Sequence, residues 1–172
     1  MPIIHHDNTV DRCTNGKGNF GDKSAEELFA LDAGSWFAPE FAGERLPSLT
    51  ELLSTCQELE LTLNLEIKHA PDKASDLPTD DEKALERELA TITCRAVREF
   101  GPSPGSLFFS SFSVSALEVC FELLPSVPRS YLVTSIPDNW ETTIRRLDCL
   151  SLNFQHSAAS REQVSRRVIA AL

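Results

Sequence analysis

Apolar runs of strand length recur along this chain, each separated from the next by a stretch with helical spacing, and that alternation restricts the fold more than any other feature. The runs are Pro2 to His5, Leu61 to Ile67, Leu107 to Ser110, Ser130 to Thr134 and Cys149 to Asn153. Helical patterns cover Ser48 to Leu59, Asp81 to Phe100, Ser113 to Leu124, Trp140 to Leu147 and Ser160 to Leu172. In the second of these, Leu85, Leu89, Ile92 and Val97 mark the apolar face, and in the first Ser48 and Glu51 stand in capping-box register. Near-continuous apolar strands separated by helices suit a parallel sheet whose strands are buried on both faces. Pro102, Pro104 and Gly105 punctuate the chain before the third run, and Pro125 and Pro128 before the fourth. Five strands in this order fit a doubly wound sheet or part of a (β/α)8 barrel, and periodicity does not separate the two.

Residues 16–47 are longer than an ordinary connection between strand and helix and carry a short helical pattern, Ser24 to Leu31, with Ser24 and Glu27 again at capping-box spacing. They are expected to form an excursion over the rim of the sheet. Ala70 to Asp81, rich in Pro, Asp and Ser, reads as a solvated loop. With 172 residues, 41% of them hydrophobic, the chain is expected to form one domain, 1–172.

A formal net charge of −10 argues against a nucleic-acid or anionic-membrane partner, since polyanions are bound through an excess of Lys and Arg. A small-molecule substrate is the expected partner. The five cysteines, Cys13, Cys56, Cys94, Cys120 and Cys149, are odd in number and lack C-x-x-C spacing, so they read as small core residues in a reducing compartment. No run approaches the roughly 20 apolar residues that span a bilayer, and no signal-peptide pattern opens the chain. A cytoplasmic location is the expectation.

Two places carry candidate chemistry. His6 and Asp7 follow the first apolar run, where a parallel α/β sheet exposes side chains on its C-terminal rim; His6 is either a proton-transfer group or a plain surface histidine. Glu66 and Lys68 share one strand face at period-two spacing, either as a carboxylate for a hard cation beside an ammonium for a phosphate, or as a structural ion pair. Trp36 and Phe37 form either an apolar wall for a substrate or part of the excursion's own packing. Ser110, Ser111 and Phe112, and further on Asn153 with His156, end strands on the same rim. No G-x-S-x-G elbow and no phosphate-cradling G-x-x-x-x-G-K-[ST] loop is present.

Three stretches as a set, His5-His6-Asp7-Asn8-Thr9-Val10-Asp11-Arg12-Cys13-Thr14-Asn15-Gly16-Lys17-Gly18, Leu31 to Pro47 and Asn64-Leu65-Glu66-Ile67-Lys68, resemble the glycerophosphodiester phosphodiesterase family. The resemblance implies a partial TIM-type (β/α)8 barrel, equivalent to strands three to seven, with the excursion after its first strand. It implies metal-dependent hydrolysis of glycerophosphodiesters to sn-glycerol 3-phosphate and an alcohol, through attack of a glycerol hydroxyl on phosphorus and opening of a cyclic phosphate by water. On that pattern His6 is one of two catalytic histidines, Glu66 one of three carboxylates on a divalent cation, Mg²⁺ or Ca²⁺, and Lys68 lines the phosphate site. His5 stands where the family has an apolar or aromatic residue and is expected to pack.

The family's His-Arg-Gly motif, its Glu-x-Asp metal pair and its Trp-Thr-Val-Asn-like last-strand segment have no counterpart here, so the resemblance implies a domain truncated at both ends and impaired in catalysis. Open sheet edges then predict instability or association. Two other readings remain: a non-catalytic descendant that binds a phosphate-containing ligand, and a related lysophospholipase D-type phosphodiesterase.

Overall fold

Among the described residues four parallel strands make the sheet: β1 (Leu63–Glu66), β2 (Leu107–Ser111), β3 (Arg129–Val133) and β4 (Ser151–Phe154). The structure, a computed structural model, describes residues 1–68, 79–103 and 105–155. Among the described residues five α-helices accompany the strands: α1 (Ala25–Phe29), α2 (Leu49–Glu58), α3 (Asp80–Phe100), α4 (Val114–Leu123) and α5 (Trp140–Leu147). The helix expected at Ser160 to Leu172, His156, and all but the end of the expected loop Ala70 to Asp81 lie outside the described residues.

Strand order across the sheet equals chain order, β1-β2-β3-β4. A doubly wound sheet reverses its order at a switch point and places helices on both faces. Here Leu49 and Leu53 of α2, Ala90, Cys94 and Val97 of α3, and Ala116, Val119 and Cys120 of α4 share one core with Leu65, Ile67, Leu107 and Phe109. Leu117 of α4 and Leu147 of α5 continue it toward Tyr131 of β3. Sequential parallel strands backed by helices on one side form the wall of a barrel, which selects the partial (β/α)8 arrangement.

Helix starts follow the sequence closely because side chains take up the orphan N–H groups there. Ser24 with Glu27, Ser48 with Glu51 and Thr79 with Glu82 each form a reciprocal capping box. At the other end of α3, Gly101 adopts a left-handed conformation (φ 66°) and its N–H closes on the Val97 carbonyl.

The buried face of α3 differs from the expected one. Glu86, Ala90, Thr93, Cys94 and Val97 are buried, whereas Leu85 and Ile92 are exposed. Small side chains win this face because α3 lies against α4, close enough for the Cys94 and Cys120 sulfurs to stand 3.7 Å apart. Glu86 tolerates burial because the Ser113 hydroxyl, which caps α4, donates to it at 2.6 Å. All five cysteines are free; Cys94, Cys120 and Cys149 are buried, and Cys13 and Cys56 half-buried.

The first apolar run also differs: Pro2 to His5 does not join the sheet. Ile3 makes an isolated antiparallel bridge with Ser48, Ile4 donates to the Pro47 carbonyl at 2.9 Å, and Leu49 donates to the Pro2 carbonyl at 3.0 Å. Its backbone groups are thus satisfied by the approach to α2 rather than by β1. The excursion packs a small core of Val10, Leu28 and Leu46 with Ile3, Phe20, Leu31 and Ala33. Gly34 admits no side chain, since a Cβ there would stand 1.9 Å from the Phe41 carbonyl oxygen.

Strand burial also departs from the expectation of two covered faces. The residues facing the helices, Leu65, Leu107, Phe109 and Val133 among them, are buried. On the opposite face the ladder brings Glu66, Ser110, Ser130 and Ser151 into one row. Asn64 and Asn153 on that face are exposed.

Candidate active site

Two chain segments meet at the C-terminal end of β1. Asn64 and Glu66 share the strand face that turns away from the helices, and Lys68 continues it one step beyond the strand. Residues 2–6 run alongside, and a cavity of about 340 Å³ opens there, lined by Ile4, His5, His6, Asn64, Glu66 and Lys68 and also by Leu49 and Leu52 of α2 and Leu89 and Thr93 of α3. The Lys68 ammonium donates to the His6 carbonyl oxygen at 3.0 Å across 62 positions of sequence. An ammonium has three donors, so two remain for an anionic ligand.

His6, with its side chain 72% exposed, reaches the cavity from the loop that follows Ile4. Its Nδ1 lies 2.8 Å from Asp7 Oδ1. Arg12 grips the same carboxylate from the other side, its Nε donating to Oδ2 at 2.6 Å and its terminal nitrogen to Oδ1 at 2.8 Å. The Arg12 guanidinium, with His6 second, holds the Asp7 carboxyl well below the usual carboxylate range. His5 does what its position in the motif led one to expect: it stacks on Phe20 with ring centroids 5.1 Å apart, and its Nε2 meets the Thr9 carbonyl at 2.8 Å.

Beside Glu66 in the ladder, Ser110 is fully buried and its hydroxyl has no hydrogen-bond partner. The neighbouring serines differ. Ser130 and Ser151 bond each other at 2.7 Å, and Ser111 points toward the helices, where it donates to the Ile67 carbonyl at 2.6 Å. A buried hydroxyl left unpaired is uncommon.

Trp36 and Phe37 stand elsewhere and do not wall this cavity. The Trp36 indole donates to the Ala33 carbonyl at 2.8 Å, and Phe37 packs edge-on between Trp36 and Phe41, leaving the two residues 50% and 69% exposed. Asp32 fixes that loop, accepting from the backbones of Gly34, Ser35 and Gly43 and from the Ser35 hydroxyl. Those bonds hold its carboxyl well below the usual range, the Ser35 hydroxyl contributing most. Glu44 and Arg45 line a separate hollow near the start of α2.

The sequence assigns roles to His6, Glu66 and Lys68, which the fold brings to one cavity; the parts of Asp7, Arg12 and Ser110 are not assigned there, although Asp7 and Ser110 are placed on the rim. The acid–base spacing of Asp7 and Arg12 was the available signal for the first two. Among the described residues no three His, Cys, Asp or Glu side chains converge as a metal cage, and no helix is long and apolar enough to cross a membrane.

Comparison with known proteins bears on what this cavity does. The Glycerophosphoryl diester phosphodiesterase family profile matches residues 1–171. The Bacillus subtilis (strain 168) protein YhdW is 32% identical over 130 residues, covering 76% of this chain and 47% of its own length. A glycerophosphodiester phosphodiesterase of Caldanaerobacter subterraneus is 46% identical over 66 residues, 38% of this chain and 27% of its own. Among solved structures, an Oleispira antarctica phosphodiesterase in complex with the product sn-glycerol-3-phosphate superposes with a TM-score of 0.83 at 31% identity, covering 98% of this chain and 64% of that one. The chain thus spans about half or less of the length of these two relatives.

Proposed function

Because the chain belongs to the glycerophosphoryl diester phosphodiesterase family, we propose that His6, Glu66 and Lys68 serve the hydrolysis of glycerophosphodiesters to sn-glycerol 3-phosphate and an alcohol. The observation that carries this reading is their convergence on one cavity from segments far apart in sequence. An imidazole, a carboxylate and an ammonium at one mouth supply a proton-transfer group, a cation ligand and a phosphate counter-charge. The Oleispira relative, which holds sn-glycerol-3-phosphate on the same fold, supports that substrate class.

In this reading the ring nitrogen of His6 that Asp7 leaves free moves a proton at the scissile phosphodiester. The two unused donors of Lys68 neutralise a phosphate oxygen. Members of the family are metal-dependent, and Glu66 is the proposed carboxylate ligand of a divalent cation, Mg²⁺ or Ca²⁺. Such an ion takes about six oxygen ligands, and the described residues offer no such set. The described donors therefore do not fit the ion by themselves, and no step is assigned to it.

That same shortage favours a second reading, in which the chain binds the phosphate-containing ligand without turning it over. One experiment separates the two: glycerophosphocholine is offered to the full chain with added Mg²⁺ or Ca²⁺, and released sn-glycerol 3-phosphate is measured. Release that falls at least about 100-fold in His6→Gln, the span of general acid–base catalysis, supports hydrolysis. Product binding without release supports the second reading, and release of equal size in His6→Gln overturns the role of His6.

A further inference from the structure

Two histidines stand side by side at the rim, and their partners demand opposite ring states. The partner of His5 Nε2 is the Thr9 carbonyl oxygen at 2.8 Å, which can only accept, so His5 carries its hydrogen on Nε2. The partner of His6 Nδ1 is an Asp7 oxygen at 2.8 Å. Arg12 donates twice to that carboxylate and keeps it ionised, so it too can only accept. The hydrogen must then sit on His6 Nδ1, and the lone pair of the neutral ring on Nε2.

We propose that Asp7, clamped by Arg12, is a positioning residue that fixes His6 as the Nδ1–H tautomer and presents Nε2 for proton transfer; the last clause rests on the catalytic reading of His6. Two further features argue that the arrangement is set by the fold. The bidentate grip of Arg12 removes the rotational freedom of the Asp7 carboxylate, and the Lys68 bond to the His6 carbonyl anchors the main chain from which the ring hangs. The chain Arg12–Asp7–His6 ends at Nε2. An exposed imidazole would otherwise exchange between tautomers and offer the wrong nitrogen part of the time.

The test reads the ring itself and needs no turnover. The full chain is labelled with ¹⁵N in its histidines, and long-range ¹H–¹⁵N correlations are recorded at alkaline pH, about two units above the ordinary histidine value; His6→Gln assigns the signal. The expected spectrum shows a protonated Nδ1 and a bare Nε2 for His6, with the reverse for His5, whose signal also reports that the loop is intact. Asp7→Asn, which offers an amide donor to Nδ1, is expected to reverse the His6 pattern, and Arg12→Gln to shift it toward a mixture. A wild-type His6 protonated on Nε2, or a His6 pattern unchanged in Asp7→Asn, overturns the proposal. A fixed Nδ1–H ring together with release undiminished in His6→Gln leaves this positioning in place and sinks the catalytic reading instead.

Discussion

The two faces of the four-stranded sheet are made from alternate residues of the same strands, yet they hold the molecule in different ways. Toward the helices, Leu65, Leu107 and Phe109 are buried against Ala90, Cys94, Val97, Ala116 and Cys120, and each large side chain removed from water contributes about 1.5–3 kcal/mol. On the other face stand Asn64, Glu66, Ser110, Ser130, Ser151 and Asn153, polar and in part exposed, with Phe108 and Leu132 among them, partly buried. The apolar face makes the fold and the polar face makes the site. A shift of register by one residue would exchange the two sets, so register and chemistry are specified together.

Truncating the centre of the apolar face tests this division most severely. Phe109→Ala is expected to cost about 3–5 kcal/mol, read as a lowered denaturant midpoint, because Phe109 is fully buried in the core to which α2, α3 and α4 contribute. The next effect concerns the exception on that face, Arg129, a charge that is 1% exposed. It survives there because its nitrogens reach the carbonyls of Leu124, Pro125, Val127, Leu147 and Asp148 while Phe121 covers its guanidinium at 5.0 Å. Arg129→Ala leaves those carbonyls without their donor and is expected to cost about 3 kcal/mol by the same measurement. A loss below about 1 kcal/mol would mean that water replaces the side chain.

Smaller effects belong to the polar face. Ser130→Ala removes the partner of the Ser151 hydroxyl and is expected to cost about 1 kcal/mol. Ser110→Ala removes a hydroxyl that has no partner to lose, and is expected to change stability by less than about 0.5 kcal/mol or to raise it. If Ser110→Ala proved as damaging as Ser130→Ala, the row would be a structural network and its link to the site would fall away.

Much of this is legible in the sequence, and the legible parts share a cause. Helix starts are local: Ser24 and Ser48 each meet the glutamate three residues on, and α5 runs over Trp140–Leu147 as its spacing indicated, whereas the third capping box, Thr79 with Glu82, starts α3 one residue ahead of the expected Asp81. The gathering of His6, Glu66 and Lys68 was legible through motif resemblance. What escaped is what pairing decides. Nothing in Pro2 to His5 says that its backbone bonds go to Pro47 and Leu49 rather than to β1. Periodicity pointed to Leu85 and Ile92 on α3, but the closeness of α4 selected Ala90 and Cys94. The placement of Ser110 beside Glu66 depends on a ladder register that sequence spacing does not carry.

Binding of sn-glycerol 3-phosphate to the full chain tests most directly whether the polar rim receives a phosphate monoester. Titration followed by calorimetry, and by the ¹⁵N signal of His6, is expected to show saturable binding that weakens at least about tenfold in Lys68→Ala, the loss of about 1.4 kcal/mol, while the thermal midpoint stays within about 2 °C, as for a small surface change. Absence of saturable binding, or binding that Lys68→Ala leaves unchanged, contradicts it.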